Sequence, residues 1–232
     1  MEYDEWAPVY EAILADFGYD RDGDERARDL LAELVGDATT FDPSGLGVDG
    51  ATVAVAGAGP SLESAAGRAA DADLVFAAST AADRLAAAGV TVDCMVTDLD
   101  KNPDTARDLT RAGTPVAVHA HGDNVPALRE QVPGFDLGAV VPTTQAAPFG
   151  PVRNFGGFTD GDRAAFLADA LGADRLVFPG WDFDDPTVDD EKALKLAWAE
   201  RLLYWLERRR GERFDVLDGR RDAVDAAVLP IR

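Results

Sequence analysis

Two short stretches hold residue pairs whose spacing suits chemistry. VTDLD (96–100) carries Asp98 and Asp100, and HAHGDN (119–124) carries His119 and His121, the only histidines in the chain. Side chains two apart leave an extended strand on one face. Two hard oxygen donors placed that way suit Mg2+, which takes one or two carboxylates and completes its shell with water and phosphate oxygens. A zinc shell is disfavoured, because Cys94 is the single cysteine and no third histidine exists. Two readings of the histidine pair stay open. In one, the imidazoles act as hydrogen-bond donors or a proton acceptor in a phosphate or substrate pocket, with Asp123 as a third metal ligand. In the other, at least one of them is a satisfied structural histidine.

Three further motifs accompany these pairs. GAGPSL (57–62) offers Gly57 and Gly59 for a tight turn and Ser61 to cap a following helix, whose exposed N–H groups favour an anion. Pro60 follows the second glycine and no third glycine completes a dinucleotide fingerprint, so NAD is disfavoured. Phosphate contact and a plain strand-to-helix turn both fit. RNFGGFTDGDRAAF (153–166) supplies Thr159 as a helix cap, Asp160 and Asp162 in a first turn, and Arg163, a residue type able to clamp phosphate bidentately. FPGWDF (178–183) sets Asp182 beside Trp181, which suits either a flat hydrogen-bonding heterocycle or a hydrophobic corner.

Something must hold these motifs at one edge. Six apolar runs, 51–58, 72–79, 90–97, 114–120, 137–143 and 173–180, read as strands separated by Ala-rich helical segments. That alternation predicts an α/β fold with a mostly parallel, Rossmann-like sheet flanked by helices, whose ligands sit at the carboxyl ends of the strands. Helical periodicity over 2–35 and over 188–210 predicts helical extensions at both ends. The expected division is a helical segment over 1–45, a catalytic domain over 46–186, and a closing helix and tail over 187–232. Arg208, Arg209 and Arg210 before Gly211 read as a helix C-terminus.

Composition narrows the setting. The net charge is −21, and 19 Arg accompany only 3 Lys. Such a surface repels a phosphate backbone, which argues against nucleic acid as a partner. No apolar run is long enough for a membrane span, and the acidic start is unlike a basic leader. The lone cysteine suits a reducing cytoplasm. With 47% hydrophobic residues spread along the chain, disorder does not explain the acid. Adaptation to concentrated salt does, because screening relieves the repulsion.

Taken in order, GAGPSL, VTDLD, HAHGDN, GGFTDGDRA and GWDF make the sequence resemble the archaeal-type 6-hydroxymethyl-7,8-dihydropterin pyrophosphokinases, a family related in fold to thiamin pyrophosphokinases. The resemblance implies transfer of diphosphate from the co-substrate ATP to the hydroxymethyl oxygen of the pterin, with release of AMP, on a route to folate-type or methanopterin-type cofactors. In that scheme Asp98, Asp100 and Asp123 hold Mg2+ against the phosphates. Gly57, Gly59, Pro60 and Ser61, with Arg163, steady the nucleotide. His119 or His121 orients or deprotonates the hydroxyl, and Asn124, Asp160 and Asp182 hold pterin or phosphate edges. Where the family often has glycine after the acidic pair, this chain has Lys101. Fold analogy makes a homodimer an expectation. The competing readings are a thiamin pyrophosphokinase, a sugar-transfer protein of the flagellin-glycosylation type, and a nucleotide-binding module that releases no AMP. If the acidic surface is a salt adaptation, the melting temperature rises between dilute buffer and molar KCl; a melting curve that ignores salt overturns that reading.

Overall fold

The structure is a computed structural model and describes residues 1–231. All six apolar runs form strands: β1 (Thr52–Ala56), β2 (Leu74–Ala78), β3 (Cys94–Thr97), β4 (Val116–Ala120), β5 (Val140–Thr144) and β6 (Arg175–Val177). They make one sheet in the order β5-β4-β3-β2-β1-β6, every neighbour parallel. The helices are α1 (Tyr3–Phe17), α2 (Arg21–Val35), α3 (Leu62–Ala70), α4 (Ala81–Ala87), α5 (Pro103–Arg111), α6 (Val125–Gln131), α7 (Asp160–Ala170) and α8 (Asp190–Arg210). The expected α/β class is the class observed.

Both sheet faces are covered, which is why the strands read as unbroken apolar runs. Val53, Val55, Phe76 and Val96 point to one side, where α1, α7 and α8 bring Trp6, Tyr10, Phe166 and Trp205. Trp6 and Trp205 stack at 6.4 Å between ring centroids, so the aromatic residues of α8 belong to the core. Ala54, Ala56, Val75 and Met95 point to the other side, against Leu31 of α2, Leu62 of α3 and Leu128 of α6. The two N-terminal helices are therefore shared between the layers. At the far end of α8, Arg210 donates to the carbonyls of Ala173 and Asp174 and pairs with Asp169 and Glu212, a structural use of the basic run. Cys94 is fully buried, and burial pushes its thiol up to about 12. Among the described residues no helix is long and apolar enough to cross a membrane.

Strand order reverses beside β1. The chain steps outward from β1 to β5, then crosses back by way of α7 to lay β6 on the opposite flank of β1. A reversal of this kind opens a crevice above the sheet. Here the loops after β1 and β6 are laced together: the Gly57 N–H donates to Pro179 O at 3.0 Å and the Gly59 N–H to Gly180 O at 2.8 Å. A Cβ on Gly180, at φ +73°, would lie 2.5 Å from Gly57 O. Gly180→Ala is therefore expected to cost about 2–4 kcal/mol, from left-handed strain plus overpacking. Gly113→Ala, with similar φ but open space around its Cβ, should cost only about 1 kcal/mol in the same denaturant titration.

Candidate active site

The acidic pair sits on a turn rather than on the strand. β3 ends at Thr97, and Leu99 is left-handed at φ +68° with its side chain buried. The Thr97 hydroxyl accepts from the Leu99 N–H at 2.9 Å, and Asp98 Oδ1 accepts from the Asp100 N–H at 3.2 Å. The expectation of an extended, one-face pair thus gives way to a tight loop, which still sets the carboxyls side by side. Burial works against ionising Asp98, but the hydrogen bond with His121, the Arg163 charge and Asp100 outweigh it and hold the carboxyl far below the usual range. Asp100 is pushed up to about 6, first by burial and then by sharing a hydrogen bond with Asp98. Burial and then the Asp98 charge drive Asp160 well above an ordinary carboxylate. Three acids therefore compete for the same small region.

The two histidines have different surroundings. His119 lies on β4, 2% exposed, with Nδ1 3.1 Å from the Thr143 hydroxyl. That hydroxyl donates to Val118 O at 3.1 Å, so it accepts from His119 and fixes the proton on Nδ1. Burial, then the charges of Arg163 and His121, keep this imidazole neutral. His121 is more open, and its Nε2 lies 3.4 Å from Asp98 Oδ2. Asn124 is buried and its amide is spent on backbone: Nδ2 donates to Asp98 O at 2.8 Å and to His119 O at 2.6 Å, while Oδ1 accepts from the His121 N–H at 3.0 Å. It laces the ends of β3 and β4 together, where the sequence suggested contact with pterin or phosphate. Asp123, exposed on the 3-10 turn over Gly122–Asn124, lines a cleft beside α2 together with Tyr19, Arg26 and His121. Among the described residues no three His, Cys, Asp or Glu side chains converge on a metal position, so Asp123 does not join the pair.

A cavity of about 230 Å3 opens over the ends of β1, β2 and β6. Gly59, Ser79, Asp160 and Trp181 are among its lining residues, and Asp160 and Lys101 connect it to the acidic turn. Trp181 donates from Nε1 to Val55 O at 2.8 Å and lies against Gly161, whose Cβ would meet the ring at 2.7 Å. The wall it presents suits a flat ring. The glycine loop, by contrast, is already occupied. Ser61 donates from its N–H at 2.9 Å and its hydroxyl at 2.7 Å to Asp182, so the chain's own carboxylate fills the anion position at the start of α3. Arg84 of α4 holds the loop from outside through the carbonyls of Ala58 and Gly59. Pro60 lines a neighbouring surface cleft.

Arg163 is 7% exposed and pinned, donating to Asp160 Oδ1 at 3.1 Å and Gln145 Oε1 at 3.0 Å. Gln145 in turn donates to Asp24 Oδ2 at 2.8 Å, and Asp24 also accepts from the Tyr10 hydroxyl at 2.6 Å and the Gly122 N–H at 2.7 Å. This buried relay from the N-terminal helices to the histidine loop was not anticipated. The signal was available: Asp24 falls on the same stripe of α2 as Ala27, Leu31 and Val35, and an acid on an apolar stripe needs partners. Asp162 is structural too, fully buried and accepting from the N–H of Thr159 in a capping box.

Such an arrangement can hold a hard divalent cation. The donors are two adjacent carboxylates whose mutual repulsion a cation relieves, and Mg2+ needs no more than two. A family model described as 6-hydroxymethylpterin diphosphokinase MptE-like matches residues 33–187. The chain belongs to that family. It is 41% identical over 225 residues, 90% of this chain and 96% of the relative, to a protein of Methanothermobacter thermautotrophicus named 6-hydroxymethyl-7,8-dihydropterin pyrophosphokinase. Relatives of the same name from Pyrococcus furiosus and Methanocaldococcus jannaschii are 39% and 30% identical, each over 89% of this chain and 95% and 96% of their own lengths.

The raised Asp100 pKa has a thermodynamic consequence. Between the ordinary value of 3.8 and about 6 the folded chain binds a proton that the unfolded chain has released, so this group's contribution to stability is present at low pH and lost as pH rises through that window. Relative to wild type, Asp100→Asn should remove that part of the slope and raise the melting temperature above pH 6. Added Mg2+ should raise the wild-type melting temperature more than that of the variant. Identical pH and Mg2+ responses in the two proteins would contradict both the assigned burial cost and the cation fit.

Proposed function

We propose that the chain transfers a diphosphate group from ATP to the hydroxymethyl oxygen of 6-hydroxymethyl-7,8-dihydropterin and releases AMP, feeding synthesis of a folate-type or methanopterin-type cofactor. The observation that carries this reading is the Asp98–Asp100 turn beside a cavity with an aromatic wall, in a chain 41% identical over 225 residues to a named pterin pyrophosphokinase. Asp98 and Asp100 would hold Mg2+, which would offset the negative charge developing during transfer.

The chain's own residues supply the rest. Trp181 and the cavity beside it accept a planar ring. His121, partly exposed and facing Asp98 through Nε2, orients the acceptor hydroxyl, whose proton passes to solvent as the new bond forms. Its attack on the β-phosphorus breaks the bond to the α-phosphate bridging oxygen, and AMP leaves with that oxygen. His119, neutral and buried, lies beside His121 with ring centroids 6.4 Å apart. Arg163, fixed by Gln145 and Asp160, contributes a stationary positive charge near the acids. Positioning of this kind supplies much of the barrier reduction in phosphoryl transfer.

Incubation of the chain with ATP, Mg2+ and the hydroxymethyl pterin in high salt, with chromatography of the products, should yield AMP and the pterin diphosphate in equal amounts. Asp98→Asn should lower turnover more than about a hundredfold while leaving the fold intact by circular dichroism. No AMP from the wild type, or near-normal turnover in the variant, would overturn the assignment.

A further inference from the structure

The chain holds only three lysines, and all three line one cleft. Lys101 follows the acidic turn, Lys192 lies in the first turn of α8, and Lys195 lies in the next turn; together they border a groove contiguous with the main cavity through Lys101 and Lys192. Arginine serves nearly everywhere else, as in the pairs of Arg210, Arg220 and Arg221 with nearby carboxylates. Lys195 is held by Glu191 at 2.7 Å. Among the described residues, neither Lys101 nor Lys192 forms an ion pair or a side-chain hydrogen bond, although the chain carries 43 acids.

The lack of a direct partner is costly for Lys192. It stands at the positive end of the α8 dipole, where a cation is disfavoured. Burial, and after it the charge of Lys101, lower its pKa. Two ammonium groups held near each other at the rim of a cavity, with Asp100 and Asp160 near but neither ammonium in direct contact with a carboxylate, leave room for an anion with several charges. Lysine suits that task as a compact, mobile point charge.

We propose that Lys101 and Lys192 form a clamp for the polyphosphate of a nucleoside triphosphate, gripping it from the α8 side while the acidic turn faces it from the sheet. The clamp deepens the diphosphate-transfer reading and rests on it for the identity of the nucleotide.

Isothermal titration of inorganic triphosphate with Mg2+ into the full chain tests the clamp without requiring turnover. Lys101→Ala and Lys192→Ala should each weaken binding about tenfold, the scale of one charge-assisted hydrogen bond. The corresponding arginine variants should recover most of it, and Lys195→Ala should stay near wild type. In turnover, KM for ATP should rise in both alanine variants while KM for the pterin holds. Melting curves matching wild type establish that the variants are folded. Triphosphate that fails to bind the wild type, or binds both alanine variants as tightly as the wild type, overturns the clamp. Lysine-dependent triphosphate binding without AMP formation keeps the clamp and removes the pterin reaction. AMP formation with KM for ATP unmoved by either lysine does the reverse.

Discussion

Asp98 and Asp100 sit within one hydrogen bond of each other, and tolerating that proximity organises the top of the sheet. A leucine at φ +68° between them costs about 1–2 kcal/mol relative to ordinary backbone. It persists because Leu99 is buried and Asn124 ties the Asp98 carbonyl to the end of β4. A hydrogen bond from His121 and the charge of Arg163 let Asp98 stay ionised. Strain and repulsion concentrated at one place, and braced from several sides, are the expected marks of a site built for a ligand.

Partner sets separate these acids from the structural ones. Asp24 is met by a phenol, an amide and a backbone N–H, and Asp162 by the backbone and hydroxyl of Thr159. Asp182 caps the glycine loop through Ser61. Each has found the donors that make a buried carboxylate tolerable. Asp98, Asp100 and Asp160 mostly have one another and a few cations at their margin.

The sheet was legible in the sequence because strands buried on both faces must be apolar throughout, and six such runs separated by helical segments leave few alternatives. The grouping of the acidic pair with the histidines was also legible, since both follow strands whose carboxyl ends share one edge. What failed to show was anything decided by a distant partner. Nothing in Leu99 announces a left-handed backbone, and nothing in Asn124 says that its amide will meet two carbonyls. The glycines of GAGPSL read as a tight turn, but what their bareness admits is the Gly180 loop, over a hundred residues downstream. Asp123 looked equivalent to its neighbours, but it stands exposed on a short 3-10 turn.

The pairing of β1 with β6 also bears on how the molecule is made. On the ribosome β1 emerges early and acquires β2 promptly, but its other flank stays bare until β6 has been synthesised. Until then the Gly57 and Gly59 N–H groups lack the carbonyls they need, and the apolar edge of β1 is exposed to the crowded interior of the cell. The crevice therefore matures in the last quarter of translation, and a stalled or prematurely ended chain would carry the acidic turn and both histidines without the wall that makes them a site.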